Sequence, residues 1–412
     1  MVKFEQFQLS NGLKVYVIPD ADVQVATLNI LYDVGARDES EEKTGFAHLF
    51  EHLMFGGSIN IDSYDEPLQK VGGENNAFTS NDITNYYLTL PSSNLETGFW
   101  LESDRMLGLS FDPKVLEIQR NVVIEEFKQR YLNQPYGDAW LKLRPLAYTT
   151  HPYKWATIGK DISHIEEATM DDVKDFFYTY YAPNNAYMVV AGNVDVREVE
   201  KLSKKWFGPI PSRPKTKRNL PVEPSQKSKR TLHFEGNVPQ DAIYKTFHMP
   251  GRFDNQYYAV DLTSDILGRG KSSRLYDQLV RENKMFSNIQ AYVTGSIDPG
   301  LLVISGHINP GTSMEKANEA IDTIIDQMKL NQLSDGELTK VKNQAESSVV
   351  FNEIDMLNKA INIAFGASND EPDMINQEAE KIRKITVEDI SNAISNTLMP
   401  ENSSTLFYHA KK

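Results

Sequence analysis

The sequence predicts an α+β protein of two similar domains, each a mostly antiparallel sheet with helices packed on one face. Its 412 residues exceed what one ordinary hydrophobic core accommodates. Strand-like and helix-like segments recur in the same order in both halves, which indicates an internal duplication. Proline-rich and basic composition over 213–229 is typical of a solvated linker. We therefore predict an N-terminal domain over 1–212 and a C-terminal domain over 230–412.

The first half begins with predicted strands and continues with helices. Asn11-Gly12 lies between two apolar runs, a pattern typical of a β-hairpin. Another strand is predicted over 23–34, and a helix is predicted from about Gly45. The remaining elements predicted for this half are a helix over 64–71, strands over 77–79 and 84–90, helices over 95–106, 113–131 and 170–180, and a strand over 186–191.

The second half repeats this order. Its first strands end at Gly251-Arg252, much as those of the first half end at Gly35-Ala36-Arg37. The predicted elements are strands over 230–235 and 242–248, a helix over 256–267, strands over 287–294 and 300–306, helices over 314–330 and 334–350, and a final strand over 404–409.

Composition restricts the class of protein. A hydrophobic content of 40% with 24% charged residues is typical of a soluble globular protein, and a net charge of -14 argues against nucleic acid as a partner. No apolar run reaches the ~18 residues that a membrane span needs. The sequence has no cysteine, so disulfides and thiolate ligands are excluded. The N-terminus lacks the features of a signal peptide, which predicts a cytoplasmic protein, or a periplasmic one if a signal has been trimmed.

Two histidines and a glutamate form the most informative motif of the chain. On a helix, His48, Glu51 and His52 fall within an arc of ~100° on one face. Two imidazoles four residues apart can bind one zinc ion, and the glutamate beside them is placed to contact a metal-bound water. This is the H-x-x-E-H order of one group of zinc peptidases. Because the neighbouring residues are apolar, histidines buried in a core are the alternative interpretation.

A catalytic zinc site needs a third protein ligand. With cysteine absent, that ligand must be a carboxylate, and the predicted helix around 117–130 offers Glu117, Glu125 and Glu126. Glu125 and Glu126 project ~100° apart, so only one of them can face the metal. The residues themselves leave this choice open.

The motifs resemble those of the M16 metallopeptidases, a family that includes pitrilysin, insulin-degrading enzyme and the mitochondrial processing peptidase. The resemblance is carried by His48-Leu49-Phe50-Glu51-His52 and by Gln119 to Glu126. Further matches are Gly72-Gly73, Asn76 to Thr79, Asp82 to Thr84, Tyr181 to Asn185, Val189 to Asn193 and Ser272 to Leu275. The resemblance covers nearly the whole chain and both halves, although the second half contains no H-x-x-E-H.

The resemblance implies roles for individual residues. It implies that His48, His52 and Glu126 bind one zinc ion per chain and that Glu51 is the general base. It also implies that Asn76, Ala77 and Arg281 bind the substrate. Two positions depart from the family pattern. Gln119 stands where the family has a second glutamate, and Asn288 stands where a tyrosine that contacts the substrate is expected.

The implied function is that of a zinc endopeptidase hydrolysing short or unfolded peptides in an enclosed chamber, with Glu51 activating a zinc-bound water. Short M16 chains typically pair, so we expect a homodimer, or a heterodimer with another M16 chain that lacks zinc. The alternative is a non-catalytic scaffold or regulatory subunit of the same fold, which the departures at Gln119 and Asn288 favour.

Overall fold

The computed structural model of the protein describes residues 1–214, 217–330 and 333–411. Its strands are β1 (Glu5–Gln8), β2 (Lys14–Pro19), β3 (Val25–Tyr32), β4 (Glu74–Thr79), β5 (Thr84–Pro91), β6 (Ala186–Gly192), β7 (Arg230–Gly236), β8 (Ala242–Met249), β9 (Phe286–Val293), β10 (Gly300–Ile308) and β11 (Ser403–Ala410).

Its helices are α1 (Phe46–Leu53), α2 (Asp65–Lys70), α3 (Leu95–Leu107), α4 (Pro113–Phe127), α5 (Ala139–Ala147), α6 (Ser163–Glu166), α7 (Met170–Tyr180), α8 (Val196–Trp206), α9 (Tyr257–Gly268), α10 (Met314–Leu330), α11 (Asp335–Asn352), α12 (Met356–Ser368), α13 (Met374–Lys384) and α14 (Val387–Thr397). π-helical turns cover Lys128–Leu132 and Tyr276–Glu282. Every strand and helix predicted from the sequence is present with small shifts at its ends. The prediction missed α5, α6, α8, α12, α13 and α14.

The chain packs as two compact units. The first contains Met1–Phe127, Trp155–Leu220 and Val350–Glu378, and the second contains Lys128–Lys154, Pro221–Val349 and Ala379–Lys412. Each unit thus includes a short segment from the opposite half of the sequence, which carries α12 in the first unit and α5 in the second. The domain boundaries at 212 and 230 stay a prediction.

The two sheets share one topology. The first has the strand order β1-β2-β6-β3-β5-β4 and the second β7-β11-β8-β10-β9. In each, the first and last long strands of the unit run parallel, β2 with β6 and β7 with β11, and the other pairs are antiparallel. Among the described strands, only β1 has no counterpart. The predicted α+β class with two similar, mostly antiparallel sheets is therefore confirmed.

Helices cover both faces of each sheet. In the first unit α3 packs against β3 and β5, whereas α12 packs against β3 and β6. Leu31 of β3 joins Ala360 and Ile363 of α12 in one cluster, and its neighbour Ile30, also buried, points to the opposite face. In the second unit α9 packs against β9 and β10, whereas α5 packs against β11 and β8. The prediction of helices on a single face is incomplete because it lacked α5 and α12.

Two arginines of the predicted linker bind the first unit. Arg218 donates to the carboxylates of Asp38 at 2.7 Å and Asp33 at 2.9 Å. Arg213 donates to the backbone carbonyls of Phe177 and Tyr181, both at 2.9 Å. The prediction of a solvated segment is wrong at these two residues, because carboxylates and helix-end carbonyls fix their guanidinium groups. Among the described residues, no helix has the length and apolarity to cross a membrane.

Candidate active site

The helix that carries the histidines, α1, has a tightly fixed beginning. Gly45 precedes it with a φ of 88°, and a Cβ there would lie 2.7 Å from the carbonyl oxygen of Ile158. Only glycine meets both conditions without strain. The carboxylate of Glu39 accepts hydrogen bonds from the backbone N–H of Gly45 at 2.9 Å and of Ala47 at 2.8 Å. Glu39 thus satisfies two of the N–H groups that a helix leaves open at its start.

Glu39 is buried, and burial raises the pKa of its carboxyl group to about 8, despite the opposing effect of the two backbone N–H groups. The carboxyl group of Glu39, which holds the first turn of α1, therefore titrates at about pH 8.

The end of α1 lies against α4. A Cβ on Gly56 would lie 2.3 Å from Cγ1 of Val115 at the start of α4. This close approach needs a residue without a side chain. It lets α4 run beside α1, with Leu116, Val123 and Phe127 buried. Glu126, near the end of α4, is thereby brought to the histidines.

His48, His52 and Glu126 form one cluster. Oε2 of Glu126 lies 3.6 Å from Nε2 of His48 and 3.5 Å from Nε2 of His52. The three side chains are partly accessible, with exposed fractions of 13%, 23% and 19% in the order His48, His52, Glu126. Glu117 and Glu125 are exposed on α4 and do not join the cluster. The geometry therefore selects Glu126 among the three candidate carboxylates.

The cluster fits a zinc ion. Two imidazole nitrogens and one carboxylate oxygen are donors that zinc takes in catalytic sites. Tetrahedral bonds of ~2.1 Å place ligand atoms about 3.4 Å apart, close to both measured separations. The three ligand atoms lie within 4.8 Å of one another. Within the described part of the chain, no other group of three or more histidine or acidic side chains meets this criterion.

Glu51 lies on the same helix and contacts β4. The hydroxyl of Thr79 donates a hydrogen bond to Oε2 of Glu51 at 2.6 Å. Below the helix are the buried phenols of Tyr86 and Tyr181, whose oxygens lie 3.4 Å apart. Burial is the main cause that holds the pKa of both phenols well above the ordinary value, and the charge of Glu51 raises it further. Both tyrosines therefore stay neutral beside the carboxylate.

A buried ion pair between Glu102 and Arg105 lies near the end of α1. Nε of Arg105 donates to Oε2 of Glu102 at 2.9 Å, and the hydroxyl of Tyr64 donates to the same carboxylate. The guanidinium carbon of Arg105 lies 4.5 to 5.1 Å from the ring centres of Phe55, Tyr64 and Tyr86. Sequence analysis missed this group and Glu39. The spacing of Glu102 and Arg105 is equally typical of a surface pair, so only packing identifies it.

The predicted substrate residues lie in different settings. Asn76 and Ala77 belong to β4, the edge strand of the first sheet, and Oδ1 of Asn76 accepts from the N–H of Ala77 at 2.8 Å. Arg281 lies in the π-helical turn of the second unit, is 66% exposed and pairs with Asp277. Asn288 lies on β9, where its Oδ1 accepts from the N–H of His307 at 3.1 Å. The substrate-binding roles stay predictions.

The second unit has a counterpart of α1 without histidine. Its helix α9 packs against the edge strand β9 and carries Asp261, Ser264 and Asp265, with the same spacing as His48, Glu51 and His52. These three line a cavity of about 460 Å³. Asp265 forms an ion pair with Arg269 at 3.0 Å. Helix α9 therefore offers none of the imidazole donors that α1 carries.

Two sheets of one topology and one His-His-Glu cluster define a duplicated α+β protein with a single candidate metal centre among the described residues. A family model described as "Insulinase (Peptidase family M16)" matches residues 14–142, and one described as "Peptidase M16 inactive domain" matches 167–345. The zinc protease PqqE of Helicobacter pylori is 31% identical over 357 residues, covering 85% of this chain and 80% of that protein. The chain therefore belongs to the M16 peptidase family, as the resemblance implied.

Solved structures agree with this assignment. A protease from Helicobacter pylori superposes with a TM-score of 0.92 at 27% identity, covering 99% of this chain and all of that one. The periplasmic protease PqqL from Escherichia coli gives a TM-score of 0.81 at 19% identity, covering 99% of this chain but 48% of PqqL. The first likeness accords with the family, and the second concerns the fold.

Proposed function

We propose that this protein is a zinc-dependent endopeptidase that hydrolyses short or unfolded peptides. The observation that carries the proposal is the cluster of His48, His52 and Glu126 with the carboxylate of Glu51 beside it on α1. The naming of relatives as zinc proteases supports a peptidase role in general. We assign His48, His52 and Glu126 as the ligands of one zinc ion per chain.

Glu51 is the proposed general base. When bound, zinc supplies an acidified water and polarises the peptide carbonyl. Glu51 accepts the proton of the attacking water and then donates it to the amide nitrogen that leaves. Proton transfer by a positioned side chain typically contributes ~10²–10⁴ in rate.

The edge strand β4 is the proposed peptide-binding element. A strand at the edge of a sheet offers unpaired backbone groups, and an extended peptide can pair with them. Asn76 and Ala77 lie in the middle of β4, so we assign them to backbone contacts with the substrate. Such contacts recognise extended shape more than sequence, which suits short or unfolded peptides held in an enclosed chamber. Arg281 is assigned to a contact with the substrate carbonyl.

A paired assembly is part of the proposal. This chain matches 48% of the PqqL chain, so a second chain of similar length would make up the difference. The partner is a second copy or another M16 chain without zinc, and only the second of these supplies the substrate contact that Asn288 does not make. We place the protein in the cytoplasm. The periplasm is the alternative, because the structural neighbour PqqL is a periplasmic protease.

Two adjacent carboxylates on α4 provide a matched test. Glu126→Gln should lower zinc content and abolish peptide cleavage, whereas Glu125→Gln, exposed and outside the cluster, should change neither. The measurements are zinc per chain after dialysis and the cleavage of a quenched peptide library. Equal zinc content in both variants would contradict the proposed ligand set.

The second candidate is a scaffold or regulatory subunit. It is favoured by Gln119, which carries no charge where the family has a glutamate, and by the family model described as an inactive domain over 167–345. A neutral amide weakens the electrostatic support that outer groups give to metal ligands. A wild-type chain that binds no zinc would favour this candidate.

A further inference from the structure

A side chain of the edge strand holds the carboxylate of Glu51. The hydroxyl of Thr79, the last residue of β4, donates to Oε2 at 2.6 Å. This separation is that of a charge-assisted bond between a hydroxyl and a carboxylate, the stronger class of hydrogen bond. One carboxylate oxygen is thereby fixed toward the strand, which determines how the second oxygen is directed.

The backbone that carries this hydroxyl is held in place by the turn that follows β4. The turn after β4 closes through a hydrogen bond from the N–H of Ser80 to the carbonyl of Ile83 at 2.8 Å. Asp82 in the same turn forms an ion pair with Arg37 at 3.2 Å, and both side chains are buried. Thr79 is therefore presented to Glu51 by a fixed hairpin rather than by a free loop.

The same strand carries the proposed peptide-binding residues. Ala77 and Thr79 are two positions apart, so their side chains share one face of the sheet. Helix α1 packs against β4, and Thr79 reaches Glu51 on that helix. A peptide that pairs with the edge of β4 at Ala77 thus lies beside the strand whose Thr79 contacts the Glu51 carboxylate.

We propose that Thr79 is a positioning residue for Glu51. The hydroxyl of Thr79 holds this general base in the orientation that proton transfer needs, and Thr79 lies on the same strand that receives the peptide. The proposal rests on the proposed peptidase function. Thr79 contacts no reacting atom and acts through Glu51. Its removal should therefore affect the chemical step and leave peptide binding and zinc binding in place.

Three variants test this role. Thr79→Val keeps the shape but removes the hydroxyl, Thr79→Ser restores the hydroxyl, and Thr89→Val removes a hydroxyl of β5 that bonds Thr27 at 3.0 Å. We expect Thr79→Val to lower kcat about ten- to a hundredfold, the range for losing a hydrogen bond to a charged group. KM and zinc content should stay unchanged. Thr79→Ser should recover most of kcat, and Thr89→Val should match the wild type.

A measurement without metal or substrate separates this proposal from the proposed function. In metal-free protein with ¹³C-labelled glutamate carboxyl groups, the Glu51 resonance, assigned with Glu51→Gln, should shift in Thr79→Val and return in Thr79→Ser. An unmoved resonance would overturn the proposal. So would an unchanged kcat, or a loss of kcat accompanied by an equal loss of zinc affinity. A wild type that cleaves no peptide would contradict the peptidase function, and the resonance would still decide the contact.

Discussion

The buried cap of α1 makes protein stability depend on pH in a calculable way. The pKa of Glu39 is raised by burial from 4.5 to about 8 in the folded protein. The folded state therefore binds this proton more tightly than the unfolded state. Stability from this group is fully present below about pH 4.5 and is lost as the pH rises toward about 8. One proton limits the slope to about 1.4 kcal/mol per pH unit.

Glu39→Gln removes this titration and keeps an acceptor oxygen near Gly45 and Ala47. The assay is denaturant unfolding of the metal-free protein between about pH 5 and 8, followed by circular dichroism. The wild type should lose stability more steeply with pH than Glu39→Gln, with a difference approaching ~1 kcal/mol per unit. Asp38, whose pKa burial also raises, is present in both proteins. Glu42→Gln, an exposed neighbour, is the control. Parallel slopes for wild type and Glu39→Gln would refute the reasoning.

Further predictions concern the groups that hold the site. Gly45→Ala should destabilise the protein by about 1–3 kcal/mol in denaturant unfolding, because alanine is strained at a φ of 88° and its Cβ meets the Ile158 carbonyl. The control is Gly336→Ala, where a Cβ meets nothing within 4 Å, and it should not destabilise the protein. Arg105→Met should cost about 3–5 kcal/mol by leaving the fully buried carboxylate of Glu102 without its cation, and adding Glu102→Leu should recover much of that loss. A larger loss in the double variant would contradict this account.

The histidine cluster was partly predictable because two of its three members are close together in sequence. The spacing of His48, Glu51 and His52 places all three on one face of any helix. The choice of Glu126 over Glu125 depends on how α4 is rotated against α1, and the close approach of Gly56 to Val115 is one of the contacts between these elements. A contact between distant parts of the chain leaves no periodic signal in the sequence.

The fold class was predictable because both halves repeat one order of elements, and the comparisons confirm the family. The missed helices have physical causes. Pro145 lies inside α5, where proline ordinarily argues against a helix. Helix α12 buries its apolar face on the sheet of the first unit, although it follows β7 to β10 of the second unit in sequence. The role of Glu39 was hidden because it reaches α1 from six residues before Gly45.

The central claim is that this chain is a zinc peptidase in which Glu51 moves the proton. The most direct measurement compares zinc content and peptide cleavage in the wild type and in Glu51→Gln. We predict one zinc per chain in both proteins, cleavage by the wild type, and a loss of about 10²-fold or more in the variant. Zinc retained with full cleavage by Glu51→Gln would contradict the claim.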